Sequence, residues 1–130
     1  MDVVNPATSE IVERVPETAV NELPKLLASA RKAQRSWAAQ APSERKAVLA
    51  RLRQLVESNL AELARTLTLE VGKPLSQAKN ELNGLLPRID FFLEHFEAEL
   101  SPRGVLGKSS DALEERIAFA PLGVVAHVSA

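Results

Sequence analysis

The sequence predicts a mainly α-helical segment of an α/β protein, with a short β-hairpin at its start and strands at its end. Three observations carry this. Apolar residues recur at steps of three and four from about residue 19 to residue 100, the period of helices with one covered face. Two β-branched pairs, Val3-Val4 and Ile11-Val12, flank the turn-forming run Asn5-Pro6-Ala7-Thr8-Ser9. The run PLGVVAHVSA, 121–130, is apolar but for His127 and Ser129, which reads as a strand covered on both faces of a parallel sheet.

The elements follow in chain order. Pro16 ends the hairpin's second strand. A first helix is predicted over 19–39, with Leu23, Leu27, Ala30, Ala33 and Trp37 on one face, Thr18 or Asn21 as its cap, and Pro24 tolerated within the first turn. Pro42 separates it from a second helix capped by Ser43, with Glu44 favouring the dipole and Leu52, Val56, Leu60, Leu63 and Leu67 as its stripe. Ser58-Asn59 competes for backbone hydrogen bonds and marks a bend or a break. A third helix is predicted over 75–100, with the stripe Leu75, Ala78, Leu82, Leu85, Ile89, Phe92, Phe96 and Leu100 and a kink where Pro87 interrupts it near residues 83–86. Val105-Leu106 and Ile117–Phe119 are predicted as an antiparallel pair, with Ser109-Ser110-Asp111 in the turn between them.

Gly72-Lys73 invites a phosphate-binding reading. That motif needs a second glycine five residues upstream, a hydroxyl residue after the lysine and a strand before the loop. Here the upstream glycine is missing, Pro74 follows Lys73, and a helix precedes Gly72. Glycine just past a helix with proline two residues on is a helix stop.

Composition narrows the function. With 16 basic and 17 acidic side chains, net charge −1, there is no cationic excess for nucleic acid or for a polybasic membrane surface. The absence of cysteine excludes disulfides, thiolate metal sites and a cysteine nucleophile from these 130 residues. No window approaches the roughly 20 apolar residues of a membrane span, and the start, MDVVNPATSE, does not read as a secretory signal. A cytoplasmic protein is the expectation.

The residues that could carry chemistry read as structural. His127 stands alone in an apolar strand. His95 sits among Phe91, Phe92 and Phe96, with Glu94 and Glu99 near it, but two separated histidines without cysteine are a weak metal set. Glu70 and Glu81 flank the Gly72 junction without a nucleophile between them and read as capping, ion-pair or loop-anchoring groups, while Lys73 suits the carbonyl end of the helix before it. Ser109 and Ser110 have no base partner and read as a turn.

Four stretches together resemble the start of the aldehyde dehydrogenase superfamily: the Asn5-Pro6-Ala7-Thr8 turn, the spacing from Trp37 to Ser43-Glu44-Arg45, Glu70-Val71-Gly72-Lys73-Pro74 followed by Glu81, and Pro121-Leu122-Gly123-Val124-Val125. The resemblance implies an α/β parent fold with a Rossmann-like NAD(P)-binding domain. It divides the chain into a hairpin and helices of that domain (1–103), a bridging hairpin used in oligomer assembly (104–121) and the first strand of an incomplete dinucleotide-binding sheet (122–130). It implies oxidation of an aldehyde to an acid through a cysteine thiohemiacetal, hydride transfer to NAD or NADP, and thioester hydrolysis by a glutamate-activated water. None of the family's catalytic, cofactor-binding or metal residues maps onto 1–130, so the chain is expected to stop before them, to bind no cofactor and to be inactive alone. Gly84 and Pro87 depart from the family's pattern. A homo-oligomer, or self-association through the open strand and the stripe of the third helix, is the expected assembly. A non-catalytic helical interaction module is the alternative.

Overall fold

A computed structural model describes residues 1–105 and 115–128. Strands β1 (Asp2–Val4) and β2 (Ile11–Arg14) form an antiparallel hairpin in which Val3 faces Glu13 and Val4 faces Ile11, with an irregularity between the two pairs. The turn holds itself. Asn5 Oδ1 accepts the Ala7 N–H at 2.9 Å, the Asn5 carbonyl accepts the Ser9 N–H at 2.8 Å, and Ser9 has φ 60°. Asparagine and serine tolerate this geometry because short polar side chains bond their own backbone.

A 3₁₀ turn, Val20–Glu22, leads into α1 (Leu23–Ala39), which places Pro24 in the first turn as expected. The cap is neither Thr18 nor Asn21. No side chain caps the first-turn N–H groups, and the Glu22 carboxylate reaches back to the Ala19 N–H at 3.3 Å, the inner half of a capping box. The start of α2 (Pro42–Ser58) repeats the device. Ser43 lies inside this helix rather than capping it, Pro42 takes the first helical position, and Glu44 Oε2 accepts the Ala41 N–H at 2.8 Å. Replacing Glu44 with Ala is expected to cost about 1 kcal/mol, measurable as a lower urea midpoint with unchanged slope.

The Ser58-Asn59 break is real. Asn59 leaves helical geometry (φ −109°, ψ 15°), its side-chain amide donates to the Leu55 carbonyl at 2.8 Å, and α3 (Leu60–Val71) starts immediately after it. Gly72 ends α3 in the left-handed conformation, φ 74°, donating its N–H to the Thr68 carbonyl. The final helix, α4, spans Leu75–Leu100 and remains a continuous helix through Pro87. Its limits are those expected from the sequence, and Leu86, beside Pro87, is buried.

Helices α2, α3 and α4 pack together, and the small core lies among them: Val56, Ala64, Ala78 and Leu86 are its buried apolar residues. The stripes need correction. On α4 the covered positions run Ala78, Leu82, Leu86, Ile89, Leu93, Phe96 and Leu100, leaving Leu75, Leu85 and Phe92 exposed. On α2 Leu49 and Ala50 are partly covered while Leu52 is exposed. Both helices carry apolar residues on two adjoining faces, and the neighbouring helix covers only one.

Polar contacts tie α2 to α4 along the same seam. Arg53 donates to both oxygens of Asp90, at 2.8 and 3.2 Å, and to Glu57 at 2.5 Å. The Asp90 hydrogen bond is the main reason the Arg53 pKa is raised, with Glu57 adding to it. Lys46 pairs with Glu97 at 3.3 Å. Arg53→Lys is expected to lower the melting temperature by less than Arg53→Leu. Lysine keeps the charge but not the two-pronged geometry, and differential scanning calorimetry would rank the two.

Past α4, β3 (Arg103–Gly104) pairs antiparallel with β4 (Arg116–Ile117). The pairing is the one expected, but shifted towards Arg103 and Arg116. Leu106 and the turn Ser109-Ser110-Asp111 lie outside the described residues. Residues 121–128 form no strand and are exposed throughout, Leu122 to 99% and Val128 to 96%. The expectation of a strand covered on both faces fails within this structure because a strand exists only through its ladder, and none of the described strands lies alongside it.

Candidate functional site

The junction around Gly72 is tightly constrained. Its left-handed φ suits glycine, and the β1–β2 turn closes over it: a Cβ on Gly72 would lie 2.6 Å from Pro6 Cγ. The two sequence motifs, Asn5-Pro6-Ala7-Thr8 and Glu70–Pro74, therefore meet in space, glycine allowing the proline ring to touch the backbone. On the other side of the junction Lys73 forms an ion pair with Glu81 Oε2 in α4. Lys73 thus staples the loop to the next helix rather than neutralising the carbonyl end of α3, and Glu81 anchors it. Glu70 is exposed at the end of α3.

This geometry does not suit a phosphate. The Gly72 N–H is already donated to Thr68 and the Lys73 ammonium is held by Glu81, whereas a phosphate cradle needs N–H groups free to face the anion. The Gly72 junction therefore does not fit the phosphates of a dinucleotide.

The histidines lie far apart in the chain and in different settings. His95 Nδ1 is 2.8 Å from the Phe91 carbonyl, and its ring stacks on Phe91 at 4.3 Å. His127 lies in the exposed 121–128 segment. Among the described residues no three His, Asp or Glu side chains gather as a metal-binding group. Ser109 and Ser110 fall outside the described residues.

Sequence reasoning missed the open apolar surface. Val20, Leu23, Pro24, Leu26, Leu27 and Ala30 of the turn and α1 line a groove of about 670 Å³ with Val124 of the 121–128 segment. Trp37, predicted on a packed face, is 38% exposed. So α1 keeps the apolar stripe that its sequence encodes, but the stripe covers no core here. The signal was present in the 3.6-residue period, which marks a face that packs without saying on what. No helix among the described residues is long and apolar enough to cross a membrane.

Comparison with known proteins places this arrangement. The model of the aldehyde dehydrogenase family matches residues 1–130. The human mitochondrial methylmalonate-semialdehyde/malonate-semialdehyde dehydrogenase (acylating) is 39% identical over 82 residues, which are 63% of this chain and 15% of that protein. The 3,6-anhydro-alpha-L-galactose dehydrogenase of Streptomyces coelicolor is 30% identical over 128 residues, 98% of this chain and 25% of that protein. A crystal structure of an NADP-dependent enzyme of E. coli is similar at 31% identity with a TM-score of 0.73, over 85% of this chain and 23% of that one. The chain thus spans about a quarter or less of the length of the proteins it matches.

Proposed function

This chain belongs to the aldehyde dehydrogenase family, and from that premise we propose that it is the N-terminal segment of an NAD(P)-dependent enzyme oxidising an aldehyde to a carboxylic acid. Within that enzyme it acts as scaffold. The helices 1–103 support the dinucleotide-binding sheet, 104–121 bridge to neighbouring subunits, and 122–130 supply the first strand of the sheet. The single observation that carries this reading is the meeting of two incomplete surfaces: α1 presents an uncovered apolar face, and Val124, from a segment that pairs with no strand among the described residues, lines the same groove. A sheet built on that segment would cover both.

The reading gives these residues no catalytic role, since the chain contains no cysteine and the family's nucleophile is a cysteine. The alternative of a non-catalytic interaction module has no support in the family match or in the relatives. An assay of aldehyde-dependent NADH or NADPH formation by the purified 130-residue chain is expected to show no turnover. Sustained turnover would contradict the scaffold role.

A further inference from the structure

Of the five asparagines in the chain, Asn83 alone is followed by glycine. Gly84 weakens a helix interior, yet a Cβ there would meet nothing within 4 Å, so no close contact calls for a glycine. What the missing side chain leaves bare is the Gly84 backbone nitrogen, next in the chain to the Asn83 carboxamide. That nitrogen can attack Asn83 Cγ once the backbone leaves helical geometry. Within a regular helix it is turned away, its hydrogen donated to the carbonyl of Asn80.

The helix's own bonds support α4 poorly at this point. Pro87 has no N–H, so the Asn83 carbonyl, four residues before it, lacks its helical donor. Leu86, just before the proline, is biased away from helical backbone angles. Packing holds the turn instead, through partly covered Leu82 and buried Leu86. On either side α4 is tied down by ion pairs, Lys73–Glu81 before the turn and Arg53–Asp90 after it.

We propose that Asn83–Gly84 is a site of spontaneous backbone modification, gated by local opening of α4 at Pro87. The Gly84 nitrogen bonds to Asn83 Cγ, the Cγ–Nδ2 bond breaks, and the amide leaves as ammonia with the Gly84 proton. Water then opens the cyclic imide. Addition at Cγ gives aspartate, and addition at the main-chain carbonyl gives isoaspartate, whose backbone runs through Cβ and Cγ. Nothing is oxidised or reduced, and water is the one co-reactant. Both products add a negative charge, and isoaspartate lengthens the main chain inside α4, so the helix cannot re-form across the site. Loss of ammonia makes the change one-way. The proposal does not depend on the dehydrogenase reading.

Incubating the 130-residue chain in mildly alkaline buffer and mapping its peptides by mass tests it. The peptide holding Asn83 is expected to gain the mass of an amide-to-acid exchange and to split into two isomers on chromatography. Asn80, also exposed on α4 but followed by Glu81, stays unchanged. Gly84→Ala slows the reaction at least about tenfold in both the folded and the urea-unfolded chain, because a methyl group shields the nitrogen. Pro87→Ala keeps the reacting pair and gives the Asn83 carbonyl its donor back. It slows the reaction at least about tenfold in the folded chain and leaves the rate in urea unchanged. Circular dichroism checks that both variants fold. An Asn83 that stays intact in the folded chain while the unfolded chain is converted, modification at Asn80 as fast as at Asn83, or a Pro87→Ala rate equal to the parent's when folded would overturn the inference.

Discussion

Gly72→Ala destabilises the chain by about 2–3 kcal/mol, more than any surface substitution in it. Two effects add. A side chain at φ 74° costs about 1 kcal/mol relative to glycine. The new Cβ would also stand 2.6 Å from Pro6 Cγ, so the β1–β2 turn must move off the helix junction and lose its contact. The expected readout is a melting temperature lower by roughly 8–15 °C. Pro6→Ala separates the two effects, because it removes the ring atom that collides. In the Pro6→Ala background Gly72→Ala should cost only the conformational part, about 1 kcal/mol. An equal cost in both backgrounds would show that the turn does not sit on Gly72.

Overpacking the helix core has the second large effect. Ala64 on α3 and Ala78 on α4 are each 0% exposed, and these helices pack on one another. Alanine at both places lets the backbones come close. Ala78→Leu adds three carbons where the neighbouring helix already stands, which costs about 1–3 kcal/mol through forced rotamers and displaced backbone. Ala64→Leu should do the same, and urea titration would give both. Leu85→Ala is the comparison at an exposed position of the same helix, and it should change the midpoint little. A tolerated Ala78→Leu would mean that the α3–α4 crossing is looser than described.

The sequence was most readable where one residue has one job. Glycine followed two residues later by proline placed the stop at Gly72, and the paired backbone competitors Ser58-Asn59 placed the break between α2 and α3. The limits of α4, Leu75 and Leu100, follow from that stop and from Pro102. Caps were less readable, since neither Thr18, Asn21 nor Ser43 caps a helix and the inner glutamates Glu22 and Glu44 hold the N–H groups of Ala19 and Ala41 instead.

Choosing the covered face was harder still. Leu85 and Leu86 are adjacent, as are Phe92 and Leu93. Periodicity alone cannot choose within each pair, because the choice belongs to α2 and α3. The 121–128 segment marks the outer limit. Its composition is that of a buried strand, but burial and pairing come from neighbours that the described residues do not provide. The Pro6–Gly72 contact was unreadable for the same reason: it joins positions far apart in sequence, and each motif alone explains itself as a turn. As for the candidate site, the sequence located the Gly72 junction and assigned it to structure. It gave no sign that α1 would stand uncovered.

The central claim is that this chain's open surfaces fit the remainder of an aldehyde dehydrogenase. It is tested most directly by exchange. Residues 1–130 would replace the matching stretch of the Streptomyces coelicolor 3,6-anhydro-alpha-L-galactose dehydrogenase, which aligns with this chain over 128 residues. The account predicts a soluble hybrid that forms NADH or NADPH from that enzyme's own aldehyde, and that loses this activity when Val124→Asp places a charge against the groove of α1. A hybrid that folds but never reduces the nicotinamide, or one indifferent to Val124→Asp, would contradict it.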